Sequence, residues 1–423
     1  MGGRRTMRYL TLSVAAILLI VGVGLRGPAD AKTEGQWVTA WGSSQQSLST
    51  NTLTNATVRM LARSTVAGDR VRVKLEHFLG VDPVTFGEAW VSLLNIGASL
   101  VPGSNRQLTF GGQPSVTIPP GGAVISDPVD LRVEARQDLA VDLYVPGTGV
   151  QISRHNNARH TSYLTSNGAG NHAAEVSPDS FTETTTEMYW LTAVDVFSEP
   201  ANGAIVAFGD SITDGSCSTT DGNDRWEDTL FLRLREAAKA HKPDEHKAMV
   251  NEGIGGNTVT RENLMPPPAS PPGIERLDRD VLDLAGVTHV ILFMGTNDIR
   301  REASAAQVIG GYQQIIDRVK ARGLKIIGVT IIPRHNRPPS GTNTGWNDAK
   351  TAIRNEVNDW IRNQAPFDAV IDFDKVVRDP TNPNLINPVF NCDGIHPNPF
   401  GYSVMGESVD LKLFKDTGSR TRR

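Results

Sequence analysis

Across residues 201–414 the chain alternates between short strand-like runs and longer stretches with helical spacing. AIVAF, MVNEG, VTHVILFM, LKIIGVTII and AVIDF are the strand candidates. Runs such as VTHVILFM are apolar at nearly every position, so both of their faces need cover. Helical patterns lie between them, at residues 226–242, at Ile274, Leu277, Val281 and Leu284, and at residues 305–322, 347–364 and 402–414. Strand and helix in alternation predict an α/β domain with a largely parallel sheet. No internal repeat or heptad array competes with that reading.

The pattern before residue 201 is different. Val71, Val73 and Leu75 alternate with Arg72 and Lys74, as in a strand with one wet face. RQLTF, SVTIP, VDLRVE and LAVDLYVP are similar short runs, punctuated by Gly111-Gly112, Pro119-Pro120 and Gly121-Gly122. Long helical patterns are missing, so residues 50–198 predict a β-sandwich or jelly-roll-like module. Residues 32–49 hold a separate strand-like segment with Trp37 and Trp41, for which the sheet of the α/β domain is one candidate place. The 423 residues are enough for two folded units, with the α/β domain at residues 199–416 and a basic tail at 417–423.

The N-terminus reads as an export signal. Arg4, Arg5 and Arg8 precede an almost wholly apolar run at residues 10–25, and Ala29-Asp30-Ala31 offers a small-x-small site. Cleavage is expected after Ala31, with the mature protein extracellular or in the cell envelope. An uncleaved anchor is the rival reading, but the run falls short of a comfortable span of about 20 residues. A net charge of -4 gives no electrostatic case for nucleic acid. Cys217 and Cys392 lack metal-site spacing. In an oxidising compartment such a pair can form a disulfide, and two separate buried thiols are the alternative.

Parallel α/β sheets place their sites beyond the carboxyl ends of strands. Four polar clusters fall at such ends: Gly209-Asp210-Ser211, residues 251–257, Gly295-Thr296-Asn297-Asp298 and residues 393–396. Ser211 is a candidate nucleophile, although a serine there can also be a helix cap. A hydroxyl needs a base, and His396 can take its proton and return it to a leaving group. Asp393, three residues earlier, can orient the imidazole, although an Asx-turn would use the same residues. Gly256, Asn297 and the Ser211 backbone can donate hydrogen bonds to an oxyanion. The glycines at 253, 255 and 256 also suit a plain turn, and GIGGN lacks the lysine of a nucleotide loop. Trp37, Trp41, Trp190 and Trp226 could stack on sugars or simply pack.

The four clusters together resemble the SGNH (GDSL) hydrolase family of esterases and lipases. The motifs stand as GDSITDG, NEGIGGN, GTND and DGIHPN, and the resemblance spans roughly residues 201–415. It implies a three-layer α/β/α flavodoxin-like domain, with Ser211, Asp393 and His396 as the triad. Ser211, Gly256 and Asn297 would then form the oxyanion hole. The N-terminal half is similar to the β-rich module of a secreted bacterial subgroup. If the triad assembles in an exported protein, Cys217 and Cys392 come near one pocket, and a disulfide between them is expected. The long proline-rich segment at residues 265–273 departs from the family pattern, and His335 is expected to line the cleft or support it. Asp210 and Asp214 are expected to shape the turn. No metal or cofactor is implied, and no protein partner. The substrate implied is a short-acyl or acetyl ester, including acetylated carbohydrates. A lipase or lysophospholipase is the alternative, and a carbohydrate-binding protein with a vestigial enzyme domain is another.

Overall fold

The computed structural model describes residues 1–3, 35–241 and 246–415. Residues 4–31 of the expected export signal and the basic tail at 417–423 lie outside the described residues.

Five parallel strands form the sheet of the C-terminal half. Their spatial order is His246–Gly253, Ala201–Gly209, Val287–Phe293, Lys325–Val329 and Ala369–Ile371. In chain order this is 2-1-3-4-5, the flavodoxin-like arrangement. Gly209 lies in register with Gly253 on one side and Phe293 on the other. Three strands therefore end level, at the point where the strand order reverses direction.

The apolar runs explain the packing. Ile205, Ala207, Ile291 and Phe293 face one cluster with Trp226, Phe373 and Tyr402. Val206, Phe208, Val290 and Leu292 face another with Val308, Tyr312, Ile315 and Val357. Helix Ala305–Ala321 shows how such a face is built. Ser304 and Gln307 form a capping box, and Val308, Tyr312, Ile315 and Val319 recur on the buried side. Trp226, fully buried, meets Phe293 and Phe373 edge-on at 6.4 and 5.4 Å.

Two helical segments differ from the sequence expectation. The one containing Ile274 and Leu284 is a short α-helix, Gly273–Leu277, that widens into a π turn, Asp278–Leu282. The wide turn is closed by Asp283 N–H donating to Asp278 O, five residues back. The last helix begins earlier, at Pro399, because Asn398 caps it. Extended Val409 separates it from a 3-10 turn, Leu411–Phe414.

The N-terminal half is built of antiparallel sheets. One contains Gln36–Gly42, Leu191–Ser198 and Gly68–Glu76, and a second centres on Ala56–Arg63, Asp138–Val145 and Glu88–Ile96. In Gly68–Glu76, Val71, Val73 and Leu75 are buried while Arg72 and Lys74 are partly exposed, as the alternation predicts. Gln36–Gly42 does not join the parallel sheet, a placement the sequence had left open. It pairs antiparallel with Leu191–Ser198, where Thr39 Oγ1 donates to the directly opposite Asp195 at 2.7 Å. The β-rich segment is thus entered and left through neighbouring strands. Val38 and Ala40 share an apolar cluster with Val206 and Val250 of the parallel sheet, so a common core joins the two halves.

Candidate active site

Strand Ala201–Gly209 delivers Ser211 to the start of a four-residue helix, Ser211–Asp214. The Asp210 side chain caps this helix by accepting from Ile212 N–H at 3.0 Å. Gly215, with φ at 97°, ends it. Gly209 is required by close approach, because a Cβ there would lie 2.6 Å from Phe293 O. Burial pushes the Asp210 carboxyl up to about 6, against the pull of the Ile212 N–H.

Ser211 Oγ lies 2.8 Å from His396 Nε2. His396 Nδ1 lies 2.9 Å from Asp393 Oδ2. Asp393 Oδ1 accepts from the Ile395 and His396 N–H groups, both at 2.9 Å. With the Nδ1 proton directed at a carboxylate, Nε2 of the neutral ring presents its lone pair to the serine hydroxyl. Burial alone would raise the Asp393 carboxyl, but the side-chain and backbone hydrogen bonds of His396 outweigh it. They hold Asp393 well below the usual carboxylate range.

The second and third clusters meet beside this chain. Asn257 N–H closes a turn onto Ile254 O at 3.1 Å, with Gly256 at φ 74°. A Cβ on Gly256 would find nothing within 4 Å, so positive φ, not crowding, favours glycine. Asn297 Nδ2 donates to Asn257 O at 3.1 Å, which ties its amide to the glycine turn. Asp298 accepts from Val259 and Thr260 N–H, and burial raises its carboxyl to about 7. The proline-rich segment packs here too, since Asn257 Nδ2 reaches Ser270 Oγ and Pro271 O.

Cys217 and Cys392 are joined in a disulfide with Cα atoms 6.5 Å apart. The bond ties the loop after the Ser211 helix to the Asp393–His396 turn, and Cys392 N–H also donates to His396 O at 3.0 Å. Among the described residues, the one cluster with metal-ligand spacing is Cys217, Asp393 and His396. Its sulfur is spent in the disulfide, and both imidazole nitrogens face Asp393 and Ser211.

Residues 207–404 match the GDSL-like Lipase/Acylhydrolase family. That segment is similar to a GDSL-like acylhydrolase domain and spans just under half of the chain. No curated protein matches the chain. Among solved structures, it is similar to a GDSL-like lipase from Bacteroides thetaiotaomicron at 18% identity, covering 50% of this chain and 88% of that one, with a TM-score of 0.34. A carbohydrate acetylesterase from Sinorhizobium meliloti is similar at 16% identity, covering 49% and 95%, with a TM-score of 0.37. At TM-scores below 0.5 these likenesses add nothing to the family match.

The site also uses one residue that sequence reading passed over. Arg276, fully buried, donates to Gly209 O, Glu252 O, Asn257 Oδ1 and Ser44 Oγ. It thereby links two strand ends to the glycine turn. Its only sequence signal is an arginine within an otherwise amphipathic segment. His335 N–H donates to Gly394 O at 2.8 Å, and its ring packs against Gly394, so it supports the acid–histidine turn. Trp190 and Trp226 are fully buried and offer no sugar-stacking face.

Proposed function

We propose that the GDSL-like domain is an ester hydrolase that works through an acyl-enzyme. The observation that carries this reading is the unbroken hydrogen-bond chain from Ser211 through His396 to Asp393. Ser211 Oγ attacks the ester carbonyl while His396 Nε2 takes its proton. Asp393 holds the imidazole in the required tautomer and stabilises the imidazolium. The backbone N–H groups of Ser211 and Gly256 and the remaining amide proton of Asn297 receive the oxyanion. His396 then protonates the departing alcohol and activates water for deacylation.

Short-acyl or acetyl esters, including acetylated carbohydrates, are the proposed substrates. Export is proposed as well. The disulfide favours an oxidising compartment, and among the described residues no helix is long and apolar enough to cross a membrane. The three-layer arrangement proposed for this domain rests on the strand order and on an apolar cluster at each sheet face.

The test is hydrolysis of acetyl, butyryl, octanoyl and palmitoyl esters and of acetylated xylan by the native protein and Ser211→Ala. Native turnover should exceed the variant's by about 10^4-fold or more. Equal turnover would overturn the assignment, and a preference for palmitoyl esters would overturn the substrate class.

A further inference from the structure

Asp214 closes the Ser211 helix, and its carboxylate does more than shape the turn. Its Oδ1 lies 3.1 Å from Nε2 of His155, a residue of strand Val150–His155 in the β-rich half. The His155 side chain is 4% exposed. Its other ring nitrogen, Nδ1, lies 2.9 Å from Ser44 O. A third oxygen, Asn157 O, lies 3.3 Å from Nε2.

Every one of these partners is an acceptor. Carbonyl and carboxylate oxygens have no proton to give, so each ring nitrogen must supply one. A neutral imidazole carries a single N–H and would turn a lone pair toward an oxygen on one side. Only the imidazolium satisfies both sides. Burial opposes that charge, but Asp214 and then the two carbonyls outweigh it, leaving the His155 ring with a raised proton affinity.

We propose that His155 is a positioning residue for the nucleophile: a buried imidazolium, supplied by the β-rich half, that holds the Ser211 helix through Asp214. This rests on the proposed role of Ser211. Asp214 is three residues from Ser211, and its backbone N–H donates to Asp210 O at 2.9 Å. A shift of Asp214 therefore moves the nucleophile's own turn. Ser44 extends the same clamp. Its Oγ donates to Glu252 beside the neighbouring strand end, and it accepts from Arg276 at 2.9 Å. Among the described residues, the other titratable groups near the pair are Arg225, whose charge interacts with that of Asp214, and Arg63, Arg136, Arg159, His160, Glu227 and Asp228, which line a common cavity with His155.

The sign of the pH dependence follows. A group whose proton affinity is raised on folding gives stability that is complete below its unfolded pKa, near 6.5, and is lost as pH rises through the folded value. The clamp should therefore be complete below about pH 6.5 and release as pH rises through the folded value. There the neutral ring sets a lone pair against either Asp214 or Ser44 O.

Two measurements test this. In the uniformly 15N-labelled native protein, both His155 ring nitrogens should carry protons at pH 6.5, with the ring titrating above that pH. A neutral tautomer at pH 6.5 would overturn the proposal, whatever the enzyme's activity. The second measurement follows ester hydrolysis, and labelling of Ser211 by a fluorophosphonate, in His155→Gln across pH 6–10. The variant's kcat and labelling rate at pH 6.5 should fall about tenfold to hundredfold, as expected for small misplacement of a reacting group. KM should stay unchanged, and the alkaline fall attributable to His155 should vanish. A folded His155→Gln protein with native rates and the native alkaline fall would refute the positioning role. If Ser211→Ala retained full activity, the proposed function would fail, yet the 15N result would still decide the state of His155.

Discussion

The β-rich and α/β regions bury charge in different places. In the first, Arg59 and Asp142 pair at 2.6 Å on adjacent central strands, both side chains fully buried. Arg59 also donates to Ala98 O and Glu175 O and lies 3.8 Å over the Phe181 ring. That pair is walled in by a sheet whose backbone groups are already bonded, so no substrate can reach it. In the second, one set of buried polar groups gathers just past the ends of parallel strands, as Asp210, Ser211, Asn297 and Asp298 do. Backbone donors are unspent at such ends, and a rigid sheet holds them still. The same cost of burying polar groups therefore supports packing in one region and chemistry in the other.

The comparison breaks if substitutions in the two regions have the same consequences. Asp393→Asn should have the largest effect on rate, lowering kcat by about 10^4-fold through loss of the correct imidazole tautomer. Stability at neutral pH should fall only modestly, because the carboxylate is 40% exposed and solvent screening discounts what it contributes. Its depressed acidity adds a pH signature. A lowered carboxyl contributes stability that is present above its unfolded pKa of about 3.9 and is lost as pH falls through the folded value. Acid unfolding should show that component in the native protein and lack it in Asp393→Asn.

The disulfide joins two loops of the α/β region 175 residues apart in sequence. Chain-entropy reasoning assigns it about 5 kcal/mol. Denaturant unfolding of Cys217→Ser/Cys392→Ser should show a loss approaching that figure, and no change would detach the bond from stability. Arg59→Ala should cost about 3–5 kcal/mol by stranding Asp142, with kcat per folded molecule unchanged. A matching fall in kcat would mean the β-rich core acts on the site by more than its contact through His155. Ser304→Ala, which removes a helix cap, should cost about 1 kcal/mol and leave kcat alone.

The α/β alternation was legible because a strand covered on both faces must be apolar almost throughout, and VTHVILFM can hardly be read otherwise. The candidate site was legible because its residues fall at strand ends in short motifs, with Asp393 and His396 in a single turn. Local rules reached less far elsewhere. The π turn at Asp278–Leu282 shares its apolar spacing with an ordinary helix. The place of Gln36–Gly42 depended on a partner strand some 150 residues away, Leu191–Ser198.

By itself the sequence determined the periodicities, the turn residues and the chemical types at each strand end, since these follow from side chains and their nearest neighbours. Tertiary structure decided which distant groups meet. Arg276 reaches Gly209 and Ser44, and His155 reaches Asp214. No periodicity encodes those meetings, because burial makes two polar groups partners only once the whole fold has excluded water from between them.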